Sequence, residues 1–150
     1  MFRGRRGVDL RGGELITLAA SAARTVGANG DWVYVGGERH RLIVVLKTTA
    51  SATDAGDTLD VFVDTSLDGT NSIGNCVHFA QQAGNGAAKT EIAVLDAVTP
   101  GTTTIAITSD AAAGVVRPAL FGAYYRARWA IVDSGNGNSS HTFSVQCYAI

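Results

Sequence analysis

From Glu14 onward the chain is a succession of short β-rich runs, each closed by glycine, asparagine, aspartate or serine. That punctuation constrains the fold more than any other feature. Strands at roughly 8–12-residue spacing with polar turns build sandwiches or barrels, whereas βαβ folds need helical periods between their strands. The runs are ELITLAASA, DWVYVGG, HRLIVVLKTTA (40–50), DTLDVFVDTSL (57–67), CVHFAQQ (76–82), AKTEIAVL (88–95), TTIAIT (103–108), ALFGAYYRARWAIV (119–132) and HTFSVQCYAI (141–150). The run at 40–50 is the most apolar and reads as a central strand. The last two runs are joined by residues 133–140, made almost wholly of turn formers. Helical periodicity is nearly absent, and the alanine-rich stretch 18–24 is the best candidate for a single helical turn. No internal repeat is visible, which argues against propellers and solenoids. The expectation is an all-β, antiparallel β-sandwich of eight or nine strands, with a jelly roll as the natural two-sheet solution.

Residues 1–13, MFRGRRGVDLRGG, differ from the rest. Arginine and glycine leave no periodic apolar face, so they read as a flexible N-terminal arm ahead of a sandwich domain spanning 14–150. Residues 1–11 hold four arginines against one aspartate, a local charge of +3, which leaves the remainder near −4 and the whole chain at −1. Ordering such an arm costs conformational entropy that it cannot recover alone. It is therefore expected to dock onto an acidic partner through Phe2, Arg3, Arg5, Arg6 and Arg11. Four arginines make only a small phosphate footprint, and a net charge of −1 gives no general attraction to nucleic acid. No specific nucleic-acid partner is expected.

A chain of 150 residues is one domain by size, large enough to bury a core without disulfides or metal. It is 46% hydrophobic and only 17% charged, against roughly 25% charged in an ordinary soluble domain. Neutral surface of that kind suits packing against other proteins. No run reaches about 18 apolar residues, and LITLAASAA (15–23) is too short and too polar for the apolar segment of a signal peptide, so no membrane partner is expected. Cys76 and Cys147 follow no metal-ligand spacing and read as two small buried hydrophobes.

Four aspartates, 57, 60, 64 and 68, crowd into residues 57–69. Period-2 alternation places Leu59, Val61, Val63 and Leu67 on one face of that strand, and Asp60, Phe62, Asp64 and Ser66 on the other. Asp60 and Asp64 then lie roughly 13 Å apart at about 3.3 Å per residue, too far to share a proton or an ion. They read as a solvated strand face, and Asp68-Gly69 as a turn. His40, His78 and His141 are isolated in β patterns and read as surface or interface residues. The chain holds no HxH, HExxH, CxxC or GxSxG. No enzyme activity, metal or cofactor is expected. In YYRARW (124–129), Tyr124, Arg126 and Arg128 share one face, a candidate interface or stacking surface, while Tyr125, Ala127 and Trp129 face the core.

The runs LDVFVDTSLDG (59–69) and CVHFAQQAGNGAAK (76–89) resemble small β proteins of tailed-bacteriophage structural modules, the capsid decoration or cement proteins and related virion accessory proteins. The resemblance implies a jelly-roll or sandwich domain, often trimeric, on the outer capsid surface at junctions between capsomers, with the major capsid protein as partner. It implies no catalytic residues. The alternative is a carbohydrate- or receptor-binding module of a virion fibre or spike, in which Tyr124, Tyr125 and Trp129 would supply stacking faces.

Overall fold

A computed structural model describes residues 13–36, 39–98, 104, 106, 109–118 and 120–150. The elements among them are all strands: β1 (Glu14–Arg24), β2 (Ala28–Asn29), β3 (Val33–Tyr34), β4 (Arg41–Ala50), β5 (Thr58–Ser66), β6 (Ser72–His78), β7 (Gln82–Ala83), β8 (Lys89–Asp96), β9 (Val115–Val116), β10 (Tyr124–Val132) and β11 (His141–Ala149). They form two antiparallel sheets, one ordered β1-β11-β4-β8 and the other β2-β10-β5-β6-β9. The fragments β2 and β3 both pair with β10 and act as one interrupted strand. Counted so, strands one, eight, three and six fill the first sheet, and strands two, seven, four and five fill the second. That interleaving is the jelly-roll order of two Greek keys. The eleven elements exceed the expected eight or nine because β2 and β3 divide one of the eight principal strands in two, and β7 and β9, each two residues long, are added to them. The arm through residue 12, and most of the run expected at 103–108, lie outside the described residues.

Alternation explains the core. On β4, Leu42, Val44, Leu46 and Thr48 are buried, while Ile43, Val45 and Lys47 face away. On β11, His141, Phe143, Val145, Cys147 and Ala149 are all fully buried. Against them the second sheet sets Leu59, Val61, Val63, Tyr125 and Ala127. The stretch 18–24 is strand, not helix. Its alanines bring no side-chain bulk to the register shifts between Thr17, Ala19 and Ala22, and β-bulges of this kind bend and twist an edge. Arg24 closes the bend by donating to the carbonyls of Phe143 (2.8 Å) and Ala20 (2.7 Å).

Leu67 does not join the core. β5 ends at Ser66, and Leu67 is 67% exposed. The turn is built by Asp68, whose Oδ1 accepts from the amides of Thr70 (2.9 Å) and Asn71 (2.8 Å), with Gly69 at a φ of 76°. These donors hold the Asp68 carboxyl far below the usual carboxylate range. Cys76 and Cys147 are free and buried, and burial pushes the Cys147 thiol up to about 12.

Candidate functional site

The opposite face of β5 is not solvated. Asp64 is 2% exposed and Asp60 half-buried, because the segment 109–117 folds over this side of the seven-stranded sheet. Three backbone ties fix the cover: Gly114 donates to the His78 carbonyl, Arg117 to the Cys76 carbonyl, and Ala111 to Asn75 Oδ1. Each of the two carboxylates consequently has side-chain partners, Asp60 in His78 and Gln81 and Asp64 in Arg126 and Arg128. The register sets Arg126 opposite Asp64 and Arg128 opposite Phe62. Nε of Arg126 donates to Asp64 Oδ2 at 3.0 Å and Nε of Arg128 to the same carboxylate at 3.1 Å, while Arg128 also reaches Asp110 at 2.6 Å. Arg126 lies 4.5 Å over the Trp32 ring and Arg128 4.0 Å over Phe62, stacks that suit flat, weakly hydrated guanidinium groups.

His78 is buried too, which corrects the expectation of a surface histidine. Its Nδ1 lies 2.7 Å from the Ala111 carbonyl and its Nε2 2.8 Å from Asp60 Oδ1. Both neighbours are oxygen acceptors, so each ring nitrogen has a polar partner. Gln81 donates to the other Asp60 oxygen at 2.8 Å, and the imidazole stacks on Phe62 at 4.1 Å. Asp60 and Asp64 thus sit in separate, filled networks. With both His78 nitrogens and the Asp60 carboxylate engaged, the pair presents no free base. Among the described residues, no group of three histidines, cysteines or acids is placed to hold a metal ion.

The remaining site residues fall as follows. Phe2, Arg3, Arg5, Arg6 and Arg11 lie outside the described residues. Tyr124 packs edge-on against Tyr34 at 5.1 Å, and Arg126 and Arg128 are tied to Asp64 with side chains 20% and 24% exposed. Tyr125 is fully buried, and its hydroxyl accepts from the Gly122 amide at 3.1 Å. Trp129 packs edge-on to Phe143 at 5.7 Å, with the Arg24 guanidinium 4.6 Å above it.

His141, also expected at the surface, is the fully buried inward residue at the start of β11. Neither ring nitrogen has a hydrogen-bond partner, and Oδ2 of the equally buried Asp57 has none either. Asp57 Oδ1 is occupied by the amide and hydroxyl of Ser134, both at 2.7 Å. Burial lowers the His141 pKa, outweighing the raising effect of the Asp57 charge. The unfolded chain, with histidine near its ordinary 6.5, then binds a proton more readily than the native state. Stability is fully present above that value and falls as pH drops through it. Melting temperature measured across pH 5–8 should decline on the acid side, and His141→Gln should flatten that part of the profile. An unchanged slope in the variant would remove His141 as the cause.

The outer face of the four-stranded sheet carries the least expected feature. Successive registers align Leu15 with Tyr148, Tyr148 with Ile43, and Ile43 with Val94, an apolar row across all four strands. The next row is Thr17, Gln146, Val45 and Ile92. Leu15 and Ile92 are each 64% exposed, Val94 49% and Tyr148 37%. One end is closed by the Arg41–Asp96 ion pair at 3.2 Å. At the other end lies an open polar hollow of about 380 Å³ lined by Thr17, Ala20, Ser21, Lys47, Thr49, Ser144 and Gln146. The signal was present in the sequence as LIVVL (42–46) and IAVL (92–95), where alternation gives way to unbroken apolar residues. An unbroken run predicts burial on both faces, and the outer face is open.

No family model matches the chain, and no curated protein sequence matches it. Among solved structures the fold is similar to a chain in "Structure of infectious bursal disease virus Gx strain", at 10% identity and a TM-score of 0.47, over 91% of this chain and 31% of the viral one. The chain therefore spans less than a third of the length of that viral chain.

Proposed function

We propose that this protein is a structural component of a virion, and more narrowly a decoration or cement protein that binds the major capsid protein on the outer surface of a tailed-bacteriophage shell. The observation that carries the reading is the apolar row of Leu15, Tyr148, Ile43 and Val94 on the outer sheet face. A contiguous exposed apolar surface of this kind marks a contact with another macromolecule. The fold does not assign a function by itself, but the jelly roll is an architecture used by capsid domains, and it offers flat sheet faces for lateral packing. The described charges add support. The outer face of the four-stranded sheet is nearly neutral, since its Arg41 and Asp96 pair with each other and Lys47 stands among threonine, serine and glutamine. Many weak contacts repeated over a shell then sum to tight attachment.

The test is co-sedimentation of the purified protein with shells of the phage whose genome encodes it, using both the whole chain and a chain lacking residues 2–12. Saturable binding by the whole protein supports the reading, and its loss on truncation assigns the arm a docking role. A protein that never sediments with those shells ends the decoration reading. Equal binding by both forms ends the role of the arm.

A further inference from the structure

We infer that the outer face of the four-stranded sheet is a self-association surface, on which a second copy of this chain packs face to face about a two-fold axis. Area is the first argument. Leu15, Ile92, Val94 and Tyr148, with the half-covered Ile43 and Val45 between them, expose on the order of 400–500 Å² of apolar surface, toward the upper end of what a monomer carries. A stable interface takes about 800 Å² from each partner, somewhat more than half of it non-polar. The row and its neighbours supply that non-polar share, and the surrounding threonine, serine and glutamine side chains supply a polar rim.

Self-complementarity is the second. A two-fold axis along the strands, passing between β11 and β4, turns the row onto itself. It lays Leu15 over Val94 of the second copy and Tyr148 over Ile43, so each apolar side chain meets another. Lys47, on the same face, falls over Ser144 and not over its own counterpart. The Arg41–Asp96 pair neutralises itself at the margin. Aligned sheets pack in this manner at about 10 Å separation with interdigitating side chains. A surface of low charge suits the arrangement, because a two-fold contact that set like charges against each other would be opposed. An isologous contact also closes at two copies.

The contact uses the same apolar row as the shell reading, so the second copy and the capsid protein would compete for it. The size of the purified protein tests the self-contact, and co-sedimentation with shells tests the shell reading. Size-exclusion chromatography with light scattering on the full chain at micromolar concentration should give twice the 15.5 kDa of one chain. Ile92→Glu combined with Val94→Glu puts two carboxylates into the contact and should raise the dimer dissociation constant by about 100-fold or more, giving a monomer. Both positions are solvent-exposed in the single chain, so circular dichroism and melting should show the fold intact. Leu67→Glu, at an equally exposed residue in the turn after β5, should remain a dimer. A wild-type monomer, a wild-type trimer such as the resemblance implies, or a double variant that stays dimeric would each overturn the inference.

Discussion

Asp64→Ala should lower the unfolding free energy by about 3–5 kcal/mol, the range for removing one partner of a buried ion pair. For a domain of this size that corresponds to a fall in melting temperature on the order of 10 °C. The carboxylate is 2% exposed and accepts from both Arg126 and Arg128. Without it two guanidinium groups remain, Arg128 beside the 109–117 cover and Arg126 on the Trp32 ring, each with a side chain no more than 24% exposed. Arg128 keeps Asp110, whose own side chain is 50% exposed and therefore a weak substitute. Arg126 keeps the Trp32 ring and no carboxylate among the described residues. Exchanging all three residues together, as Asp64→Leu with Arg126→Met and Arg128→Met, should recover most of the loss. The charge and its counter-charges then leave together, and well-packed apolar replacements are often neutral or better. Urea denaturation of the single and triple variants reads both effects. A loss below 1 kcal/mol for Asp64→Ala would mean that the network is open to water and that the cover over this face is loose.

Phe143→Ala should cost about 3–5 kcal/mol, as large-to-small changes of aromatic residues in closed cores do. Phe143 is fully buried on β11 and meets the Trp129 ring edge-on at 5.7 Å, so it joins the two sheets through the centre of the sandwich. Arg24 lies 4.4 Å over the Phe143 ring, and its guanidinium donates to the Phe143 carbonyl. Truncation would leave a cavity beside Trp129 and remove one face of the Arg24 stack at the bend of β1. Leu67→Ala is the matching control. Leu67 is large but 67% exposed, and substitutions at such positions are usually within about 0.5 kcal/mol. The comparison is made from denaturation midpoints at an unchanged m-value, since a changed m-value would signal a different unfolded state. Similar losses at both positions would contradict the placement of the core.

The fold was legible to the extent that it is local. LIVVLK on β4 and TFSVQCYA on β11 place Leu42, Val44, Leu46, Phe143, Val145 and Cys147 on one side by alternation alone, and the structure buries all six. Asp68-Gly69 announced its turn by composition, and the Asp68 carboxylate holds it. The alanine-rich second half of β1 misled because alanine favours helix slightly in isolation, while pairing with β11 along the strand outweighs a preference of that size. Leu67 misled because alternation does not say where a strand stops.

What the sequence determined by itself is the class of architecture and the inward face of each long strand, since side-chain direction along a strand depends only on the next residue or two. Tertiary structure alone decided the partners. Asp64 finds Arg126 and Arg128 across 62 and 64 residues, and Asp60 finds His78 across 18. Those meetings depend on strand order, register and the loop laid over the sheet, which no local pattern encodes. The same is true of the row from Leu15 through Tyr148 and Ile43 to Val94. Its members are drawn from four strands spread over the whole chain, and a slip of one residue in any register would turn part of the row inward.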